Sequence, residues 1–386
     1  MTMILLILLW ILLLIHSTGA FLTLCNAVRY KDMAVHLDAE RIGHQPFQPR
    51  ISLVTRCDFR TNAECISKIQ GNLSLNYTQY EVILLVDSSG NEEDFAEILT
   101  YFEMKQIPET DAVRELRYPV RACYRSCSAS YKRLTVVDKS YHPKDDLRDT
   151  GLAISKGGYM LFIPSLDDEL IRNSLANLAI MKMRNSKEHI TPIRGVARYN
   201  CSGSFLGSFF RMMADICNLR RIYIVGGLKG VDYGKFVVLR DVSEKKGKEE
   251  FVPKPQMFLH RPNTFNTYLE QLAPHNFYTS YRGKLVSFME FLITGIFWGA
   301  GIHVIVTPGV VNEDFLFLLA VFLLPLIAST FSIFIGEIFL KQNYKIRFVL
   351  RLIAVSVFES VVFCLLQPWM WIRNLCIKTC RSLRIS

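Results

Sequence analysis

Four short apolar runs constrain this chain more than any other feature: residues 51–55 (ISLVT), 80–86 (YEVILLV), 133–137 (RLTVV) and 159–164 (YMLFIP). Each has the length of a buried strand. Each is followed by a stretch with helical spacing: residues 65–75 (apolar at Ile66, Ile69 and Leu73), 92–102, 146–155, and about 169–183. Short apolar strands alternating with helices predict an α/β fold built on a Rossmann-like, mainly parallel sheet with helices on both faces. In such sheets ligands bind beyond the carboxyl ends of the strands. Asp58, Asp87 and the run Asp167, Asp168, Glu169 all follow strand ends, so the pattern gathers them at one edge. Carboxylates placed there hold a metal and the phosphates it neutralises, or they simply begin the next helix.

The ends of the chain have a different composition. Half of the 386 residues are hydrophobic, and they concentrate in an N-terminal block and in the stretch after Leu285. Residues 1–28 exceed the ~20 apolar residues that span a bilayer. They read as a transmembrane anchor, with a cleaved signal peptide as the rival reading. Arg29 and Lys31 follow the block and no cation precedes it, which places the globular part in the cytosol. Residues 285–372 read as C-terminal membrane helices: two spans joined by a turn with Glu313 and Asp314, then a segment from about 348 that either spans or lies in the interface. Residues 266–284 read as an interfacial helix and 373–386 as a basic tail. The net charge of +10 suits an anionic leaflet. It is scattered, and no nucleic-acid motif accompanies it. The ten cysteines show no metal-ligand spacing and read as reduced thiols. The sequons at Asn72, Asn76 and Asn200 are unused if the domain is cytosolic. Neither G-x-S-x-G, Walker A nor H-E-x-x-H occurs.

Three segments, PRISLVTRCDF, LNYTQYEVILLVDSSGN and LRDTGLAISKGGYMLFIPSLDDEL, resemble the nucleotide-binding half of family-2 glycosyltransferases with the GT-A fold. In that family a strand ending in paired acids is followed by "N-x-G-x-x-x-A-x-G-x-Y-I" and then by "D-A-D". The resemblance extends over about residues 49–185, within a domain expected over 49–265. The flanking membrane blocks are similar in arrangement to membrane-embedded synthases and ceramide glucosyltransferase. The resemblance implies a nucleotide-sugar donor, a UDP-sugar above all, a lipid or glycan acceptor, inversion, and a divalent metal, Mg2+ or Mn2+. It implies donor-binding roles for Asp87, at the nucleobase slot, and Asp149, at the slot usually held by Asn. Asp58, at the end of the first strand, joins them as a donor-side candidate. Asp167 matches the last acid of D-x-D, and with Asp168 is the candidate metal ligand. Asp168 is equally a candidate helix cap.

The chain departs from the family at Ser165, which stands where D-x-D has its first acid. A hydroxyl is a poor donor for a hard cation. Gly230–Asp241 (GVDYGKFVVLRD) is similar to the family's acceptor-side strand, with Asp232 as candidate base and Glu249-Glu250 as the other acidic segment. Gln271 and Arg282 lie where a nucleotide clamp would precede the membrane, although Tyr278, Tyr281, Arg282 and Lys284 equally form an interfacial belt. Two functions follow: a membrane-bound glycosyltransferase, or a degenerate glycosyltransferase-like subunit that serves as scaffold to an active partner.

Overall fold

The computed structural model describes residues 48–58, 62–142, 147–184, 193–200, 204–225, 236–242 and 250–259, with single helical positions between 7 and 28 and between 295 and 369. The chain divides into two compact units. One comprises residues 34–198 and 236–260; the other comprises 1–33, 199–235 and 261–386.

The first unit is built on one ten-stranded sheet. In chain order its elements are β1 (Ile51–Cys57), α1 (Asn62–Leu73), β2 (Tyr80–Val86), α2 (Glu92–Tyr101), β3 (Met104–Ile107), α3 (Asp111–Arg114), β4 (Ala122–Ser126) and β5 (Leu134–Asp138). Then come α4 (Leu147–Ile154), β6 (Tyr159–Ile163), β7 (Glu169–Leu170), α5 (Ser174–Arg184), β8 (Ile193–Tyr199), β9 (Phe236–Asp241) and β10 (Glu250–Leu259). The spatial order is β3-β4-β5-β2-β1-β6-β9-β8-β10-β7. All seven residues of β2 are buried, so both faces of the sheet are covered there, as its unbroken apolar sequence requires. Val54, Ile83, Leu85, Val137 and Met160 from the four central strands form one core cluster.

The sheet is mixed, which corrects the expectation of a mainly parallel one. β1 runs parallel to β2 and β6, and β2 to β5. Outside that core β4 is antiparallel to β5, β3 to β4, β9 to β6, β8 to β9, and β7 to β10. The outer strands escape a reading by apolar runs for physical reasons. β3 (MKQI) has no buried residue. β10 (EFVPKPQMFL) carries Pro253 and Pro255, which normally argue against a strand. Only Met257 and Phe258 of β10 pair with β7, so the prolines lie outside that pairing.

A second correction concerns the segment after β6. A helix was expected from about residue 169, but Glu169–Leu170 forms β7 and the helix begins at Ser174. Gln256, fully buried on β10, captures the intervening backbone. Its carbonyl accepts from the Ile171 N–H at 2.9 Å and from the Ser174 hydroxyl, and its side-chain carbonyl accepts from Asn177 Nδ2 at 3.3 Å.

Two glycines of the α4–β6 segment permit close approach. A Cβ on Gly151 would lie 2.9 Å from both methyls of Val54, so α4 packs directly on β1. A Cβ on Gly157 would lie 2.7 Å from the Arg50 carbonyl oxygen, a backbone atom that cannot swing aside.

In the second unit, α6 (Phe205–Val225) carries the buried Asp215, which accepts the Tyr199 N–H at 3.1 Å. Most of the apolar blocks at the two ends of the chain lie outside the described residues. Among the described residues no helix is long and apolar enough to cross a membrane.

Candidate functional site

Because β5, β2, β1 and β6 are parallel, their carboxyl ends share one edge of the sheet. From β1 the chain builds outward through β2 to β5, then returns to place β6 on the other side of β1. The strand order therefore reverses between β1 and β6, the place where open α/β sheets bind ligands. Asp58, Asp87 and Asp167 all follow strands of this set. Asp149 is exposed in the first turn of α4, the helix that leads from β5 to β6.

On the β2–β5 side the acids close on an arginine. Arg121, just before β4, donates from Nη2 to Asp87 Oδ1 at 2.5 Å, to Ser140 Oγ at 2.6 Å and to Ser89 Oγ at 2.8 Å. Its Nη1 donates to Ser88 Oγ at 2.7 Å and lies 3.3 Å from Asp138 Oδ1. Ser88 in turn donates to Asp138 from its hydroxyl at 2.8 Å and from its N–H at 3.1 Å. The other oxygen of Asp87 accepts the Tyr141 N–H at 3.0 Å. Partial burial alone would raise the Asp87 carboxyl, but the donors from Tyr141, Ser89 and Arg121 outweigh it and hold the group at about 2. Both oxygens of the acid assigned to the nucleobase are thus engaged within the protein.

A bridge leads from this knot to β1. The Tyr141 hydroxyl donates to the Leu85 carbonyl at 2.8 Å, and its ring lies under the Arg56 guanidinium at 4.2 Å. Arg56 Nη2 pairs with Asp58 Oδ1 at 2.7 Å. Next to them, the buried Cys57 and Cys65 thiols are 3.7 Å apart. That hydrogen bond, together with burial, pushes the Cys57 thiol far up, so it is not a ready nucleophile.

On the β1–β6 side the turn after β6 is fastened over the end of β1. The Leu166 N–H donates to the Arg56 carbonyl at 2.7 Å. The Asp167 N–H donates to Ser165 Oγ at 3.2 Å, and the Asp168 N–H to the Ser165 carbonyl at 3.1 Å. Lys68 reaches across from α1, with Nζ 2.5 Å from Asp167 Oδ1. Both residues line a cleft of about 870 Å³ between α1 and residues 166–172, together with Ser67, Glu64, Glu169 and Arg172.

These residues do not fit a divalent cation. Asp168 is 1% exposed, Ser165 supplies a hydroxyl that already accepts an N–H, and Asp167 is neutralised by an ammonium. A hard cation wants several oxygen donors, carboxylates among them. Among the described residues no three His, Cys, Asp or Glu side chains converge to hold a metal. Of the two candidate metal ligands, Asp167 is ion-paired to Lys68 and Asp168 is buried. Asp232, Gln271 and Arg282 lie outside the described residues.

Sequence reading located the acids and missed their partners, Arg121 and Lys68. Arg121 sits in YPVRACYRS, before a strand with no apolar run to announce it. Lys68 has a local clue: it is the seventh residue of the helix that follows the first strand, a lone cation in NAECISKIQGNL.

No known family profile matches the sequence, and no curated protein does. Among solved structures, the chain is similar to the mannosyltransferase PcManGT from Pyrobaculum calidifontis, solved in complex with GDP-Man and Mn2+, at 9% identity and a TM-score of 0.36, covering 92% of this chain and 99% of that one. It is also similar to S. aureus TarS 1–349, at 9% identity and a TM-score of 0.33, covering 84% of this chain and 92% of that one. The same TarS fragment in complex with UDP aligns at 10% identity with a TM-score of 0.34.

Proposed function

We propose that the chain is a membrane-associated glycosyltransferase of the GT-A type that takes a nucleotide sugar, a UDP-sugar first among the candidates, and passes its sugar to a lipid or glycan acceptor with inversion. The observation that carries this reading is the cleft at the strand-order reversal. It carries Lys68 and Asp167, and it adjoins the Arg56–Asp58 pair at the end of β1. The three sequence segments that resemble family-2 enzymes contain β1, β2 and the stretch from α4 through β7, the elements that build this edge. In the reaction the acceptor oxygen forms the new bond to the anomeric carbon. The bond from that carbon to the diphosphate oxygen breaks, and its electron pair departs with the nucleoside diphosphate. The acceptor proton passes to a carboxylate, for which Asp232 is the candidate.

Membrane association is supported by where exposed apolar side chains fall. Trp10, Leu14, Phe21, Phe205, Leu350 and Trp369 are all exposed and all belong to the unit that contains the two apolar blocks. A cytosolic sheet unit on an integral membrane protein is the arrangement proposed.

The test is transfer of labelled sugar from UDP- and GDP-sugars into lipid and glycan fractions by membranes containing the full chain. Asp167→Asn is expected to reduce transfer by at least about tenfold, the scale of losing one positioned polar group at a charged centre. Wild-type membranes that transfer no sugar from either donor overturn the enzyme reading. One observation favours the alternative, a scaffold subunit: Asp87, at the nucleobase slot, has both oxygens consumed by Arg121 and Tyr141. Donor binding without turnover is the result that selects it.

A further inference from the structure

From the Lys68–Asp167 pair we infer that the chain carries its own counter-ion for a diphosphate: the Lys68 ammonium stands where a divalent cation would meet Asp167, and the donor's diphosphate binds without metal. The inference rests on the nucleotide-sugar reading above and specifies how that site handles charge.

Three observations carry it. Lys68 Nζ is 2.5 Å from Asp167 Oδ1, so the carboxylate fixes where the ammonium sits. An ammonium has three N–H donors and this contact uses one, which leaves donors for phosphate oxygens. Lys68 is about one-third exposed and lines the cleft, so the remaining donors are accessible from it. Ser165, in place of a first acid, is consistent with a single-charge partner: one carboxylate balances one lysine, whereas a divalent cation needs more negative donors.

The charge of the cleft gives the pair a purpose. Among the described residues, Glu64, Asp167, Asp168 and Glu169 line it against Lys68 and Arg172. A diphosphate entering such a cleft is repelled unless a cation meets it. Lys68 meets it at the turn fastened over β1, and Arg172 adds a second positive group along the same wall. As the anomeric bond breaks and its electron pair settles on the diphosphate oxygen, the Lys68 N–H donors stabilise the charge that develops there.

The experiment is titration of the full chain, purified in detergent, with UDP, GDP, CDP and ADP by calorimetry, in EDTA and in Mn2+. The expected result is that one of these nucleotides binds in EDTA within about twofold of its affinity in Mn2+. Lys68→Met then weakens binding in EDTA by about tenfold or more, the loss of one charge-assisted hydrogen bond. Lys68→Arg, which keeps the charge, recovers most of it and guards against a variant that merely misfolds. Binding that requires Mn2+ in the wild type, or that is indifferent to Lys68→Met, overturns the inference and leaves the donor reading standing. Failure of all four nucleotides in both conditions overturns the donor reading, and the role of Lys68 goes with it.

Discussion

The two halves of the strand-end edge each pair an acid with a cation, and they do so to different ends. On the β2–β5 side, Arg121 divides its donors among Asp87, Asp138 and three serines, and Asp138 is nearly out of solvent at 9% exposure. Every partner comes from the protein. On the β1–β6 side, Lys68 and Asp167, at 35% and 17%, are no more exposed than Arg121 and Asp87 at 35% and 25%, but they face a cleft. A saturated network fixes strand ends and loops in place. A single pair beside open volume retains capacity for a ligand. The same elementary chemistry, carboxylate against cation, thus serves architecture in one place and recognition in the other. What separates the two is the number of donors left over.

The sharpest way to break this contrast is to remove the arginine. Arg121→Met leaves Asp138 buried with a reduced complement of donors and leaves Asp87 without its cation. Asp138 is 9% exposed but Arg121 and Asp87 are 35% and 25% exposed, so stripping the arginine costs about 2 kcal/mol, less than a fully buried pair would. Denaturant unfolding of the full chain, followed by tryptophan and tyrosine fluorescence, is expected to shift by that order. Arg121→Lys recovers little, because an ammonium cannot span five acceptors at two strand ends as a planar guanidinium does. If Arg121→Met leaves the midpoint unchanged, the knot is not architectural and Asp87 becomes available to a ligand after all.

A smaller effect sharpens the same side. The Asp87 carboxyl is held at about 2 against an ordinary 3.8, so its stabilisation is complete above the ordinary value and disappears as pH falls through the lower one. Between roughly pH 4.5 and pH 1.5 the wild type therefore loses stability that Asp87→Asn has already given up. The acid limb of the wild-type stability curve is expected to be the steeper of the two. Parallel limbs would show that Asp87 titrates normally and that its bonds to Arg121 and Tyr141 contribute nothing.

The same contrast explains how much of the molecule was legible in the sequence. β1, β2, β5 and β6 were readable because a strand covered on both faces must be apolar throughout, and such runs have no other economical explanation. The chain positions of Asp58, Asp87 and Asp167 followed from the same logic, since each sits directly after such a strand. β3, β4 and β10 were not readable, because their sequences mix charged residues, and in β10 prolines, with apolar ones. The cations were invisible for a related reason. Lys68 is 99 residues from Asp167 and Arg121 is 34 from Asp87, so neither partnership exists until the sheet assembles. The D-x-D resemblance drew attention to the turn after β6. It gave no sign of the lysine that pairs with Asp167, because that lysine belongs to a helix 99 residues earlier in the chain.

The smallest expected effect on stability is at the lysine. A partly exposed pair contributes about 1 kcal/mol at most, since solvent screens the attraction and ordering a long side chain offsets part of it. Lys68→Met is therefore expected to shift the unfolding midpoint by no more than that, about half of the Arg121→Met loss, while it abolishes most of the nucleotide affinity. Measuring both variants on the same full chain sets stability against binding. Arg121→Met should move the first more than Lys68→Met does, and Lys68→Met should move the second. A Lys68→Met variant that unfolds as readily as Arg121→Met would show that its pair with Asp167 also fixes the turn after β6. The cleft would then owe its shape, and not only its charge, to that one contact.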